Sequence, residues 1–463
     1  MLPLKIINFG RNVKGRFDLF RLLYRWDRDY KKEFVITLLA FTLVFYSIFD
    51  LDAMWDYLAL GIEGWIIALQ FGSELSIMPS QYRPKHGGVN YSTEVTPYIS
   101  YKAVSYLMSY VLPTKEEEAL GFNNPIIGMK RCKDSPLTSD MVSDKVMLRD
   151  KITYQIDQSP RCFIRSRHQI RYIAIRVANK VTHTTNGQTV SFVDPASALL
   201  ENKPVRIRKS FYFDALLTLE AFRSRIFRQN ISGQREVYTD LSTYFPVKMD
   251  YVDGKEAVRF RDDFIERTSG HIGITGLLLT ENNKIALMFQ GTNRAIDANT
   301  VTFGGSGSLS FEDIKDSGKP ADFKEVVRFG IAREMAEETG MPKEVKHLEG
   351  NTMITGFFRW INRSGKPEFV GLTRAKGLPI AKNHAIDGDE VVGFEELPVE
   401  IKTPKDFVKA YKHICDEGYQ LSLSSLMALH RLTVIAGYTG KKATEEQKEI
   451  YTKVAEFIKG NKA

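Results

Sequence analysis

A membrane-like pattern of apolar positions lies near the start of the chain. Residues 34–49 form an uncharged apolar run of 16, and residues 53–72 form a second apolar stretch that Asp56 and Glu63 interrupt. A bilayer core needs about 20 apolar residues per helix, and a carboxylate at its centre costs at least about 2 to 3 kcal/mol. The pattern favours a transmembrane helical hairpin over residues 33–75, with a single span or a buried helical hairpin as alternatives.

The segment that precedes this hairpin sets its expected topology. Residues 1–32 are rich in Lys and Arg, and the positive-inside rule keeps such a flank in the cytoplasm. No small-residue cleavage site follows the apolar run, so a retained anchor fits better than a signal peptide. With two spans, the rest of the chain also lies in the cytoplasm.

The middle of the chain changes from a helical to a strand-like pattern. Apolar residues recur at helical spacing over residues 92–112, which predicts a helix, whereas residues 114–150 lack a strong period and predict a loop-rich connector. Strands are then predicted at residues 152–156, 170–177 and 189–193. Asn186-Gly187 is a typical hairpin turn and lies between the last two of these.

The C-terminal part has the clearest pattern. Residues 272–280 and 284–289 predict a hairpin of buried strands, and a glycine-rich loop follows at residues 304–307. A helix is predicted to begin after its cap Asp322 and to end at Gly340. Further helices with Ser or Thr caps and Gly ends are predicted at residues 403–418, 422–437 and 444–459.

Composition narrows the class of protein. The chain has 463 residues, is 43% hydrophobic and carries a net charge of +8, which excludes a polytopic transporter and a wholly disordered chain. Its cysteines, Cys132, Cys162 and Cys415, are too far apart for a C-x-x-C metal site and indicate a reducing compartment. The positive charge favours an anionic partner.

Much of the basic charge lies in the β-like middle. Residues 161–209 hold ten Lys or Arg against Asp194 and Glu201. A basic strand face predicts a site for a polyanionic ligand, with Arg206 and Arg208 as the candidate binding residues. A solvated face, or a surface against anionic lipid headgroups, remains open as an alternative.

Three carboxylates share one face of the helix predicted after Asp322. Glu334, Glu337 and Glu338 are spaced i, i+3 and i+4, which brings their side chains close together. They repel one another, and the helix dipole disfavours negative charge near a helix C-terminus. Oxygen ligands of this kind bind Mg²⁺ or Mn²⁺, which also bridges substrate phosphates. The spacing predicts a metal site, with a solvated face as the alternative.

The residues around these carboxylates are similar to the Nudix box. Glu325, seven residues, and then Arg-Glu-Met-Ala-Glu-Glu-Thr-Gly-Met at 333–341 fill every fixed position of the second part of that motif. The upstream part departs from it, because the family's Gly falls on Lys319. The Gly-Gly pair that usually opens the box resembles Gly304-Gly305. Nineteen residues separate Gly305 from Glu325, where the family has five. The chain therefore carries an apparent insertion in this loop.

The resemblance implies an α/β/α sandwich that hydrolyses a nucleoside diphosphate linked to another group, with Mg²⁺ or Mn²⁺ as cofactor. It assigns metal binding to Glu334, Glu337 and Glu338, and catalysis to Glu337 and Glu338. A further base from a later loop is expected at Glu390, with Glu368 and Asp389 as the other candidates. The resemblance also implies supporting roles, namely ligand binding near the metals for Arg333, Gly304 and Gly305, bracing of the loop and helix for Glu325 and Arg333, and a helix stop for Gly340.

The order of segments resembles membrane-anchored Nudix effectors of bacterial cyclic-oligonucleotide antiphage signalling. That resemblance implies a nucleotide ligand such as a cyclic oligonucleotide, a lipid bilayer as partner, homo-oligomerisation on activation, and no stable nucleic-acid partner. It places the protein in the bacterial inner membrane with its soluble domains facing the cytoplasm. The alternative is a non-catalytic nucleotide sensor whose Nudix-like or β-rich domain drives oligomerisation and membrane disruption.

The predicted fold class is α+β or α/β. It combines the transmembrane hairpin, a β-rich middle region and a C-terminal Nudix α/β/α sandwich with additional helices. The predicted segments are a basic cytoplasmic segment at 1–32, the hairpin at 33–75, a helix and connector at 76–150, a basic β-rich regulatory or ligand-binding region at 151–265, the Nudix domain at 266–402 and C-terminal helices at 403–463.

Overall fold

The computed structural model describes residues 90–102, 104–125, 136–159, 163, 166–178, 187–229, 234–290, 300–318, 322–378 and 391–460. The predicted transmembrane hairpin lies outside these residues. Within them, no helix combines the length and apolar character that a membrane span requires. The described chain is a mixed α+β protein with a β-rich middle and helices at its C-terminal end.

The strands are β1 (Asn90–Val95), β2 (Tyr98–Tyr101), β3 (Val104–Leu107), β4 (Pro136–Thr138), β5 (Tyr154–Ile156), β6 (Gln188–Phe192), β7 (Val205–Phe211), β8 (Ser224–Gln229), β9 (Arg235–Asp240), β10 (Val247–Val252), β11 (Lys255–Phe260), β12 (Gly273–Leu279), β13 (Lys284–Gln290), β14 (Val301–Thr302), β15 (Ser306–Ser308), β16 (Thr352–Trp360), β17 (Lys366–Arg374) and β18 (Val391–Glu400). The α-helices are α1 (Lys115–Ala119), α2 (Asp140–Leu148), α3 (Arg167–Ala178), α4 (Tyr212–Ala215), α5 (Phe264–Arg267), α6 (Asp313–Asp316), α7 (Phe323–Glu338), α8 (Val345–Gly350), α9 (Asp406–Glu417), α10 (Leu423–Ala436) and α11 (Glu445–Lys459). The chain divides into two compact units.

The first unit contains residues 1–96, 162–186 and 220–244. Its described part holds the antiparallel sheet β1-β8-β9 and helix α3. The strand predicted at residues 170–177 was wrong, because this segment is helical. Ile170 and Ile173 are both buried, and a strand would direct two residues at this odd spacing to opposite faces. The predicted turn at Asn186-Gly187 therefore joins no hairpin of that kind.

The helix predicted at residues 92–112 was also wrong. The segment forms β1, β2 and β3, and β2 pairs with β3 in an antiparallel hairpin whose turn includes Lys102 at a positive φ of 48°. The segment is rich in Tyr, Thr, Ser and Val, which fit a pleated strand better than a helix. Val104, one of the residues at helical spacing, is half exposed.

The predicted connector at residues 114–150 contains two helices. Thr114 caps α1 and shares a capping box with Glu117, while the Ser139 side chain accepts a hydrogen bond from the Val142 amide at the start of α2. Glu117 is buried, and its Oε1 lies 2.7 Å from Nε of Arg359 on β16. This buried ion pair ties the first helix to the main sheet of the second unit, so the segment is more than a linker.

The second unit is organised around an eight-stranded mixed sheet. Its strand order is β14-β13-β12-β17-β16-β4, with β15 also paired to β12 and β18 to β13. The predicted buried hairpin is confirmed as β12 and β13, and the predicted strands near residues 152–156 and 189–193 are confirmed as β5 and β6. Strand β12 pairs with β17 in parallel and with β15 antiparallel, so the glycine-rich loop joins the sheet beside the beginning of β12.

Both faces of this sheet are covered by helices. Leu277 belongs to a core with Leu426 and Met427 of α10, whereas the next residue, Leu278, packs with Ala332 and Met335 of α7. Because successive strand residues point to opposite faces, α7 and α10 lie on different sides of β12. The predicted C-terminal helices are confirmed as α9, α10 and α11, and they contribute to the first of these two cores.

Polar groups are buried at the beginning of β12. His271 is 2% exposed, and its ring nitrogens lie 3.1 Å from Thr189 Oγ1 and 2.6 Å from Ser308 Oγ. Lys366 Nζ lies 2.6 Å from Glu368 Oε2 on β17, and both of these side chains are buried. Burial lowers the pKa of His271 well below 6.5, and the positive charges of Lys366 and Arg363 lower it further.

Truncation of each of the two neighbouring leucines tests the two-sided core. We expect Leu277→Ala and Leu278→Ala each to lower the free energy of unfolding by about 2 to 5 kcal/mol, measured by urea denaturation. Val104→Ala, at a half-exposed position, should change it by less than about 0.5 kcal/mol. A neutral result for Leu278→Ala would show that α7 does not cover its face of the sheet.

The depressed pKa of His271 predicts a loss of stability in acid. The unfolded chain takes up a proton at this residue below about pH 6.5, whereas the folded protein resists protonation until lower pH. Stability is therefore unaffected above that pH and falls by up to about 1.4 kcal/mol per pH unit below it. Urea denaturation at pH 7, 6 and 5 should show a shallower decline for His271→Gln. The matched change at exposed His347 should leave the decline as in the wild type, and equal declines for all three proteins would refute the assignment.

Candidate active site

Helix α7 carries most of the predicted site residues, and its boundaries agree with the prediction. The Asp322 side chain accepts a hydrogen bond from the Lys324 amide at 3.0 Å and so caps the helix. Thr339 ends the helix, and Gly340 follows in a left-handed conformation with φ of 71°. The buried apolar residues of α7 determine which side of the helix faces the sheet. The carboxylates lie on the remaining sides of its second half.

The three carboxylates differ in exposure. The Glu337 side chain is 55% exposed and the Glu334 side chain 15% exposed, while Glu338 is buried. Burial raises the pKa of Glu334, and the neighbouring charge of Glu337 adds to this effect, whereas Arg333 opposes it. The cluster therefore has one carboxylate toward solvent and two carboxylates against the protein.

The glycine-rich loop lies directly against this part of α7. A Cβ atom at Gly305 would stand 2.2 Å from the backbone nitrogen of Met335, and one at Gly307 would stand 2.3 Å from the carboxyl carbon of Glu334. Gly304 has a φ of 134°, which disfavours other residues. The amide of Ser306 donates to Glu338 Oε1 at 3.3 Å. The structure thus brings Gly304 and Gly305 to the predicted metal-binding carboxylates.

Arg333 joins the loop, the helix and the inserted segment. Its Nε and Nη2 donate to Asp313 at 2.7 and 3.1 Å, and Nη2 also donates to the Ser308 carbonyl at 3.1 Å. Its Nη1 lies 3.0 Å from Glu334 Oε1 and 3.3 Å from Glu337 Oε2. Although burial opposes the charged form, the surrounding carboxylates raise the pKa of this guanidinium.

Arg333, one of the two residues expected to brace the loop and the helix, has a partner outside the motif. Asp313 holds it and is itself almost fully buried. Glu325, the other expected brace, pairs with Arg328 at 2.6 Å, and its bracing role stays a prediction. Sequence reasoning missed Asp313, although Ser310-Phe-Glu-Asp313 carries the local signal of a polar turn, in which the Ser310 amide donates to Asp313 at 2.8 Å.

The carboxylates of Glu334, Glu337 and Glu338 are suitable ligands for a hard divalent cation, because Mg²⁺ and Mn²⁺ prefer carboxylate oxygens. Within the described ranges, however, no group of three or more carboxylate, imidazole or thiol side chains is drawn together as a metal site. Arg333 stands between Glu334 and Glu337, and Ser306 holds Glu338. Glu334 and Glu338 would hold a cation, which would compete with Nη1 of Arg333 for the carboxylate of Glu334.

The carbonyl groups of the glycine pair bear on the same question. The Gly305 oxygen accepts a hydrogen bond from the Gly276 amide at 2.8 Å. A carbonyl oxygen has a second lone pair, so this bond leaves one acceptor position at Gly305. The loop therefore retains an oxygen for the role that the resemblance implies.

One of the three candidates for the additional base lies away from the carboxylates of α7. Glu368 alternates along β17 with Val370 and Leu372, which pack into the core on the α10 side, so it faces away from α7. Its carboxylate is paired with Lys366, and it accepts a hydrogen bond from Thr275 Oγ1 at 3.0 Å. Glu390 and Asp389 lie outside the described residues, so the base expected at Glu390 stays a prediction.

The basic residues chosen from the β-rich middle have partners within the fold. Arg206 Nε lies 2.6 Å from Asp194 Oδ1, and buried Arg208 forms an ion pair with Asp157. A hydrogen bond from Ser159 and the Arg208 contact lower the pKa of Asp157. These pairs account for much of the local charge, and a ligand-binding role for Arg206 and Arg208 stays a prediction.

No protein-family model matches this chain, and no curated protein matches it either. The functional assignment consequently depends on the sequence pattern and on the geometry around α7.

Proposed function

We propose that the chain is a Nudix-type hydrolase that cleaves a nucleoside diphosphate derivative with the help of Mg²⁺ or Mn²⁺. The observation that carries the proposal is the contact between the glycine-rich loop and the second half of α7. This contact places Glu334 and Glu338 beside backbone groups of the loop, and Glu337 is linked to Glu334 through Arg333. The motif from Glu325 to Gly340 supports the same reading of these residues.

In this proposal each carboxylate has a distinct place. Glu334 and Glu338 lie against the loop and supply cation ligands, while half-exposed Glu337 faces the substrate and the attacking water. A bound divalent cation would polarise the phosphate and neutralise the leaving group. Glu337 would accept a proton from water, a contribution worth about 10² to 10⁴ in rate. Arg333, held by Asp313, keeps the carboxylates in register.

We extend the proposal to a membrane-anchored effector in antiphage defence that responds to a cyclic nucleotide. This part depends on the apolar stretches at residues 34–49 and 53–72 together with the domain order. In it the soluble part faces the cytoplasm of a bacterial inner membrane and oligomerises on activation.

One observation favours the second candidate, a nucleotide sensor without turnover. Arg333 already neutralises Glu334 and Glu337, and an arginine cannot activate water as a metal does. A sensor of this type would bind nucleotide and drive assembly with its carboxylates still paired to Arg333. Mutation of Glu338 separates the two candidates.

Glu338→Gln should abolish hydrolysis while leaving the fold intact. The substitution keeps the shape of the side chain but removes the charge that a cation requires, so we expect at least about a hundredfold loss of kcat/KM. The measurement is product release from ADP-ribose, NAD and diadenosine polyphosphates in the presence of Mg²⁺. Exposed Glu417→Gln is the matched control. A Glu338→Gln protein with normal turnover would eliminate the hydrolase proposal, and a wild type without turnover would favour the sensor.

Asp313→Asn should weaken metal binding. Without its anchor, the Arg333 guanidinium is free to pair with Glu334 and Glu337 through more than one nitrogen, and it competes better with the cation. We expect the Mn²⁺ dissociation constant, measured by calorimetry, to rise about tenfold, as for loss of a supporting contact around a metal site. Unchanged affinity would mean that Asp313 does not control the position of Arg333.

A further inference from the structure

A second polar cavity lies beside the first half of α7. It has a volume of about 420 Å³ and is formed by α7, the start of β16, the end of β17, α11 and the segment after α2. From α7 it is lined by Lys324, Glu325 and Arg328, and it includes none of the three carboxylates of the candidate active site. A volume of this size suits a small-molecule ligand.

Arg374, at the end of β17, is the unusual residue of this cavity. It is only 8% exposed, and burial alone lowers the pKa of its guanidinium. Among the residues that the structure describes, no hydrogen bond or ion pair holds this guanidinium. The nitrogens of this guanidinium are not enclosed by the protein, so its charge is open to the cavity that Arg374 lines.

Close packing keeps the Arg374 guanidinium beside the cavity. A Cβ atom at Gly460, the residue that ends α11, would stand 3.0 Å from Nη1 of Arg374. Gly460 also has a φ of 96°, which favours glycine. A larger residue at this position would push against the guanidinium, whereas glycine leaves it room.

The lining has an excess of positive charge. Lys453 of α11 pairs with Glu449 at 2.9 Å, and Arg328 pairs with Glu325. Lys324 is buried enough for its pKa to fall to about 8, and its Nζ donates to backbone carbonyls, including that of Met147 at 3.3 Å. The charged side chains of the lining are the basic Arg149, Lys324, Arg328, Arg374 and Lys453 and the acidic Asp150 and Glu325.

From these observations we propose that the cavity binds a phosphate-bearing small molecule of nucleotide size, with Arg374 as its anchor. Phosphate groups carry several charges in a small volume and match the planar guanidinium with two parallel hydrogen bonds. Met353 and Phe457 add apolar surface to the lining, which suits the sugar or base of a nucleotide. The ligand supplies a partner for Arg374 that none of the described residues provides.

This site is separate from the proposed hydrolytic site. Glu325 and Glu334 are nine residues apart on α7, a rise of about 13 Å along a helix. The proposal therefore does not require hydrolysis at Glu334, Glu337 and Glu338. It gives α7 a second binding site, for an effector or for a second part of the substrate. Binding without divalent cations distinguishes the two sites, because the hydrolytic site requires a metal.

The test measures ligand-induced stabilisation of the full chain after removal of divalent cations on a chelating resin. We expect pyrophosphate and ADP to raise the Tm of the wild type, and Arg374→Met to weaken the binding of both by at least about tenfold. Lys453→Met, in the wall that α11 forms, should weaken it less, because Lys453 already pairs with Glu449. Lys412→Met, which removes an exposed charge of α9 outside the cavity, should bind as the wild type does.

The stability of the free protein provides a second measurement. Because no described residue pairs with the Arg374 guanidinium, Arg374→Met should leave the Tm of the ligand-free protein unchanged or raise it. A marked fall would assign the residue a structural role and overturn the proposal, as would equal ligand binding by Arg374→Met and the wild type. Glu338→Gln should bind pyrophosphate normally. Equal stabilisation by citrate would overturn the assignment to phosphate.

Discussion

The close approach of the glycine-rich loop to α7 is the constraint on which the candidate site depends. Gly305 and Gly307 have no room for a side chain because the backbone of Met335 and the carboxylate of Glu334 occupy that space. This contact brings the Ser306 amide to Glu338 and the Ser308 carbonyl to Arg333. The hydrophobic core between α7 and β12 holds the two elements at this distance, so packing and site chemistry are coupled.

Arg333 balances the charge that this packing concentrates. Glu334, Glu337 and Asp313 would repel one another without it, and the arginine pairs with all three. The same arrangement makes metal binding a competition, in which Asp313 determines how much of the guanidinium is free to oppose the cation.

The sequence alone predicted those helices whose caps, apolar spacing and ends are all encoded locally. Helix α7 was predicted correctly because its cap, apolar spacing and terminal glycine lie within the helix and its flanks, and α9 to α11 were predicted for the same reason. Helix α3 was predicted as a strand because its apolar residues fit the spacing of a strand as well as that of a helix. The burial of both Ile170 and Ile173 distinguishes the two, and it is seen only in the structure. Asp313 and Arg374 could not be assigned, since their importance depends on contacts, or a lack of contacts, between distant segments.

The metal site is the centre of the proposed function, and direct observation of the cation tests it best. A crystal of the protein grown with Mn²⁺ would locate the metal by its anomalous scattering. We predict a peak bonded to oxygens of Glu334 and Glu338, with the Arg333 guanidinium displaced toward Asp313. A structure in which Mn²⁺ binds elsewhere, or in which Arg333 still pairs with Glu334 and Glu337 at saturating Mn²⁺, would contradict the proposal.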